Sequence, residues 1–168
     1  MDAETDGVYS RAPELEDLVD LCRALNREGA RYLLIGGFAV ILHGFIRSTK
    51  DIDFLVEASA ENVQAIKRAM ASLPDNAAAL IADDEVERYG VVRVADEIVV
   101  DLMAKACGIS YPASLVDEGV VTFRIQDVEI PVASKTLLIR LKDTIRPSDA
   151  ADVEFLRFRL EEERRAKG

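Results

Sequence analysis

Tryptophan is absent, histidine occurs once and cysteine twice, and each shortage removes a class of protein from consideration. Cys22 and Cys107 stand alone without a CxxC pair, and one histidine does not complete a zinc-ligand set, so neither a zinc centre nor a disulfide framework is expected. Both thiols read as reduced and part-buried. The segment from Met1 to Asp6 is acidic and lacks the basic and apolar parts of a signal peptide, so a cytoplasmic protein is expected. Long hydrophobic runs are missing too: the longest, Tyr32 to Leu42, contains two glycines and falls well short of the roughly 20 residues a membrane helix requires. Nor is there a surplus of positive charge. Lys and Arg number 21 against 31 Asp and Glu, a net charge of −10, which argues against a broad phosphate-tracking groove and hence against extended nucleic-acid binding. A small polyphosphate or a protein partner is compatible with that balance.

What is present is a chain of 168 residues, 49% hydrophobic and 31% charged, which suits one folded domain spanning 1–168. A domain of this size buries on the order of 70% of its unfolded-chain surface. Residues 1–12 are expected to be flexible, and 134–165 to form a C-terminal helical region. Charge is unevenly placed: residues 83–101 hold seven acids and two bases, and residues 134–149 hold four bases and two acids. A local basic patch is therefore available to face a local acidic one.

Leu15, Leu18, Val19, Cys22 and Leu25 recur at helical spacing over 14–28, up to Gly29. The apolar run 31–35 reads as a strand leading into a sharp Gly36-Gly37 turn, followed by a short helix over 38–43 that Gly44 stops. In 51–56 the alternation places Ile52, Phe54 and Val56 on the core face and Asp51, Asp53 and Leu55 on the other. Ser59 caps a helix that Pro74 ends near Leu73. Hairpins are read over 91–94 with 98–103, turned at Asp96-Glu97, and over 120–125 with 128–132, turned at Gln126-Asp127. The stretch 104–119 reads as loop with one helical turn. Ser134 caps a helix to about Ile145, Pro147 interrupts it, and a last helix follows from Asp149 with Val153, Leu156 and Leu160 on its apolar stripe. Helices mixed with partly antiparallel strands make the fold class α+β.

Asp51 and Asp53 point the same way from one strand, with Cα atoms about 6.6 Å apart at the ~3.3 Å strand rise. Two carboxylates so placed can converge on one divalent ion or share two, and magnesium favours such an open oxygen site completed by substrate phosphates, with manganese as the alternative. Asp101 is the best third ligand, because a lone charge in the apolar run 98–103 is costly without a partner or metal. Glycines at a strand-to-helix turn let a phosphate approach the backbone. The dinucleotide pattern G-x-G-x-x-G is missing, and Ile52, Phe54 and Leu55 exclude a calcium loop. His43 reads as a packing residue, and 161–165 as a solvated helix end.

The pattern Gly36-Gly37, Gly44, Arg47, Thr49, Asp51-x-Asp53 with a later strand acid at Asp101 resembles the nucleotidyltransferase superfamily of DNA polymerase β type. The form Arg-x-Thr-x-Asp-x-Asp is similar to small bacterial nucleotidyltransferases related to abortive-infection and toxin–antitoxin transferases. A second block, Lys142 and Arg146 followed by Asp149-x-x-Asp152, is similar to another signature of those proteins. The resemblance implies a polymerase β-like core, a mixed sheet flanked by helices, with C-terminal helices added. It implies magnesium-dependent transfer of a nucleoside monophosphate from a nucleoside triphosphate, ATP among them, to an unassigned acceptor with release of pyrophosphate. Asp51, Asp53 and Asp101 are then the catalytic and metal-binding acids. Gly36, Gly37, Arg47, Thr49, Lys142 and Arg146 are the nucleotide-binding residues, with Lys142 and Arg146 on one helix face opposite the leaving pyrophosphate. Asp149 and Asp152 are read as fixing Arg146 or the helix start. Many transferases of the superfamily carry serine where Gly37 stands, so one hydroxyl contact is missing. A non-catalytic nucleotide- or protein-binding module on the same fold, such as a toxin–antitoxin component, is the alternative.

Overall fold

The computed structural model describes residues 10–116, 118–144 and 146–168. Helix α1 (Leu15–Arg27) leads to strand β1 (Tyr32–Ile35), helix α2 (Gly36–Leu42) and strand β2 (Asp51–Val56). Helix α3 (Ala60–Met70), a 3-10 turn (Ala77–Leu80) and the short α4 (Glu85–Arg88) then precede β3 (Val91–Ala95) and β4 (Val99–Met103). A two-residue ladder, β5 (Lys105–Ala106) with β6 (Ile109–Ser110), is followed by α5 (Tyr111–Ser114) and the hairpin β7 (Val120–Ile125) and β8 (Val128–Ala133). Helices α6 (Lys135–Leu141) and α7 (Pro147–Lys167) close the chain.

The main sheet runs β3-β4-β2-β1-β8-β7. It is mixed: β2 with β4 and β1 with β8 are parallel, while β1 with β2, β3 with β4 and β7 with β8 are antiparallel. Interior position explains composition. In β1 all four residues, Tyr-Leu-Leu-Ile, are buried, and β4 is apolar except at Asp101, as expected for strands covered on both faces. Helices α1 and α3 lay Leu18, Leu25, Ile66 and Met70 on the core, where the Tyr32 and Phe54 rings meet edge to face at 5.3 Å. Asn62, itself buried, accepts from the Arg31 amide at 2.7 Å and donates to the Arg31 and Glu57 carbonyls, so α3 ties the start of β1 to the end of β2.

Local chemistry accounts for the ends. Ser59 and Ser134 accept from the amides of Asn62 and Leu137, each an N-cap bond. Gln126 and Asp127 both have positive φ (50° and 65°), the two-residue primed turn whose twist suits a hairpin. Pro147 takes the first helical position of α7, where its missing N–H costs nothing, so it starts that helix instead of interrupting one.

Other boundaries differ from the sequence reading. Helix α2 begins at Gly36 itself, with no separate turn, and α3 ends at Met70. The stretch 104–119 contains the β5–β6 ladder as well as α5. Helix α6 stops at Leu141 with Lys142 as its C-cap, and Arg146, the residue before a proline, is extended at ψ 133°. Ile145, the expected helix end, lies outside the described residues, as do residues 1–9 of the stretch expected to be flexible. Arg11 just beyond them donates its amide to the Glu97 carbonyl at 2.9 Å and pairs with Asp17.

Candidate active site

Strand β2 carries Asp51 and Asp53 on the same side, and β4 lies parallel to it with Asp101 directly opposite Asp53. Two residues opposed in a parallel register point to one face, so the topology brings the three acids together. One carboxylate oxygen from each lies within 4.8 Å of the others. Asp101 is buried and sits on an interior strand.

Gly36 makes room for this cluster. A Cβ at residue 36 would stand 2.1 Å from Asp53 Oδ2, and its φ of +73° is one that a side chain disfavours. Gly37 is buried against the loop before β2, its missing Cβ 2.8 Å from Thr49 Oγ1 and 3.1 Å from Arg47 Nη2. Both glycines thus let β2 and its loop approach α2 closely.

Burial and close packing here raise the affinity of Asp53 and Asp51 for protons. Burial, then the charges of Asp51 and Asp101, push the Asp53 carboxyl up to about 8. Burial and the neighbouring Asp101 raise Asp51 as well. Such a cluster favours a cation, and the donor set is three hard carboxylates at the edge of an open cleft, which fits magnesium or manganese.

That cleft has a volume of about 320 Å³. Of the residues singled out in the sequence, Gly36, Asp51, Asp53, Asp101, Lys142 and Arg146 line it, whereas Gly37, Arg47 and Thr49 do not. Thr49 Oγ1 donates to the Asp51 carbonyl at 3.2 Å. Arg47 donates through Nη1 to both oxygens of buried Asp152, at 2.6 and 2.7 Å. Lys142 and Arg146 do not share a helix face: Lys142 caps the end of α6 and Arg146 the start of α7. Lys142 is buried, 3.0 Å from Asp152 and 3.5 Å from Asp149, and Arg146 is exposed, its Nε 2.8 Å from Asp149. Burial raises the Asp149 carboxyl, but hydrogen bonds from Thr144 and Arg146 outweigh it and hold that group below its ordinary value. Asp149 does fix Arg146, whereas Asp152 fixes Arg47 and Lys142. Arg146 and Lys142 also favour the ionised forms of Asp51 and Asp53 respectively, and both line the cleft with Asp101, the last residue of the acid-rich stretch 83–101.

Sequence reasoning missed Arg93. Its guanidinium donates from Nε and Nη2 to the two oxygens of Asp101, each at 3.0 Å, and from Nη2 to Asp51 at 3.2 Å. A two-residue turn at Asp96-Glu97 pairs Ala95 with Ile98 and sets Arg93 against Val100. In the structure Ala95 pairs with Val99, and this one-residue shift brings Arg93 opposite Asp101. The signal was buried Asp96, whose carboxylate accepts the amides of Asp75, Ala77 and Glu97 and holds a longer connection. Of the remaining candidates, His43 is a packing residue, buried, donating from Nε2 to the Ala133 carbonyl at 2.9 Å and meeting Phe123 edge to face. Cys22 is buried, and Cys107 is exposed beside the cleft.

No family model matches the chain, and no curated protein matches it in sequence. Among solved structures it is similar to the lincomycin-bound lincosamide antibiotic adenylyltransferase LnuA, at TM-score 0.55 and 16% identity, covering 88% of this chain and 98% of that one. The likeness shows the fold: this is the α+β nucleotidyltransferase fold of polymerase β type.

Two predictions come from this geometry. Gly36→Ala meets the positive φ and the Asp53 contact, whereas Gly29→Ala meets a φ of +70° with nothing within 4 Å. In chemical denaturation Gly29→Ala should cost about 1–2 kcal/mol and Gly36→Ala clearly more; equal costs would show that Asp53 is not packed on Gly36. In metal-free protein, folded Asp53 keeps a proton to about pH 8 that the unfolded chain releases near pH 4. Its raised value therefore contributes stability that is complete in acid and lost as pH rises through that window. The stability of wild type minus that of Asp53→Asn, measured in chelator, should fall from pH 5 to pH 8, and a rising difference contradicts the assignment.

Proposed function

We propose that this protein transfers a nucleoside monophosphate from a nucleoside triphosphate to an acceptor oxygen, releasing pyrophosphate. The observation that carries this reading is the convergence of Asp51, Asp53 and Asp101 beside Gly36 on a fold that an adenylyltransferase shares.

Asp51, Asp53 and Asp101 would hold magnesium or manganese. The bound ion supplies charge neutralisation at the triphosphate and a fixed orientation of the reacting oxygens. In the reaction the acceptor oxygen bonds to the α-phosphorus, the bond from that phosphorus to the bridging oxygen breaks, and the electron pair leaves with pyrophosphate. Asp101, walled in on an interior strand, accepts or orients the proton the acceptor gives up. Gly36 lets the Asp53 carboxylate sit directly against the start of α2, because no side chain intervenes between the backbone and the acids. Arg146, exposed at the rim and steadied by Asp149, meets the negative charge that grows on the leaving group. Lys142 contributes positive potential from below while Asp149 and Asp152 keep it in place. Thr49 and Arg47 act one step back: Thr49 secures the Asp51 backbone, and Arg47 ties the loop before β2 to α7.

A small acceptor agrees best with a cleft of about 320 Å³ and a net charge of −10. The similar adenylyltransferase holds lincomycin, itself a small molecule. In a cytoplasmic setting ATP and its relatives are the natural donors.

Thermal unfolding with MgATP, MgGTP, MgCTP and MgUTP tests the reading. A nucleotide at 100 times its dissociation constant should add about 2.7 kcal/mol to wild type and little to Asp51→Asn/Asp53→Asn. Pyrophosphate release should then accompany a screen of small hydroxyl-bearing acceptors. No shift with any nucleotide would defeat the proposal, and a shift without turnover across the screen would favour a binding module on the same fold.

A further inference from the structure

We infer that Arg93 is an intramolecular stand-in for the divalent cation: its guanidinium occupies the position between Asp51 and Asp101 and must leave before an ion bridges them. The inference rests on the metal-dependent reading above and concerns a residue which that reading does not use.

Arg93 Nη2 is 3.2 Å from Asp51 Oδ2 and 3.0 Å from Asp101 Oδ2, while Nε is 3.0 Å from Asp101 Oδ1. One nitrogen therefore joins the two carboxylates, and both oxygens of Asp101 are engaged. A magnesium ion bonds oxygen at about 2.1 Å. An ion bonded to those same two oxygens comes close to Nη2, and two positive centres repel strongly at such a separation. The neighbouring cations do not fill this role, since Lys142 is paired with Asp149 and Asp152, and Arg146 with Asp149.

Arg93 is also placed to leave. Its side chain is 61% exposed, and β3 is the edge strand of the sheet. Val92 and Val94 bury on the opposite face and hold the backbone, so a change of rotamer moves the guanidinium into solvent without disturbing the core. In the metal-free protein the same contact offsets the repulsion among three clustered acids. The apparent affinity for metal is then the intrinsic affinity reduced by the fraction of molecules in which Arg93 has swung out.

The test uses the full chain and Mn²⁺ as the probe, with free ion counted by paramagnetic resonance for wild type, Arg93→Ala, Arg93→Gln and Asp53→Asn. Both Arg93 variants should bind Mn²⁺ about tenfold more tightly, the order expected from a part-exposed two-pronged ion pair. Removing a positive charge alone also helps a cation, so a second readout is required. The Arg93 Nε–Hε resonance, hydrogen-bonded and protected in metal-free protein, should shift and lose its protection when Mg²⁺ is added. Equal or weaker Mn²⁺ binding by the Arg93 variants, or an Arg93 resonance unchanged by Mg²⁺, overturns the inference. Failure of wild type and Arg93 variants alike to bind Mn²⁺ removes the metal-dependent reading and this inference together. Binding by wild type that is lost in Asp53→Asn but indifferent to Arg93 leaves the metal site standing and removes only the stand-in.

Discussion

Three carboxylates held on adjacent parallel strands repel one another, and the surrounding structure is arranged around that repulsion. Asp51, Asp53 and Asp101 bring carboxylate oxygens within 4.8 Å of one another because β2 and β4 run parallel in register. Burial first, and that repulsion second, give the high proton affinity at Asp53 and the need for positive charge nearby. Arg93 meets that need by direct contact, Lys142 and Arg146 at longer range. Gly36 meets a steric requirement of the same cluster, since Asp53 fills the volume a side chain would take.

A second ionic network fixes the first in space. Asp152, almost wholly buried, receives Arg47 from the loop before β2 and Lys142 from the end of α6, so one carboxylate of α7 links three segments around the cleft. Asp149 binds Lys142, Thr144 and Arg146 in the same manner. Buried pairs of this type contribute little net stability when intact, but losing one partner is expensive, typically about 3–5 kcal/mol. Their role here is placement. They hold the cations beside the cleft without letting them collapse onto the acidic triad, and they leave Arg146 exposed at its rim.

Much of this was legible from residue pattern. Period-two alternation in 51–56 put Asp51 and Asp53 on one face, and a lone acid among apolar neighbours marked Asp101, because strands and desolvation obey local rules. The second block was legible as chemistry but not as geometry. Lys142 and Arg146 satisfy helical spacing, yet α6 ends at Leu141 and Arg146 before Pro147 is extended, so the two stand at the ends of different helices. Arg47 carries the charge of a phosphate ligand and instead answers a buried acid 105 residues away, a pairing that only the tertiary fold creates. Arg93 was hidden by a single residue of hairpin register. Whether a turn takes two residues or three depended on Asp96 capturing amides from Asp75 and Ala77, outside the hairpin itself.

The central claim is that the three acids form one metal site in which nucleotide chemistry takes place. Diffraction from crystals grown with Mn²⁺ and a non-hydrolysable nucleoside triphosphate, collected at a wavelength where manganese scatters anomalously, addresses it most directly. The account predicts an anomalous peak bonded to oxygens of Asp51, Asp53 and Asp101, with triphosphate oxygens completing its shell beside Gly36. Manganese and nucleotide bound elsewhere, with Asp51 and Asp101 still paired to Arg93, would contradict it.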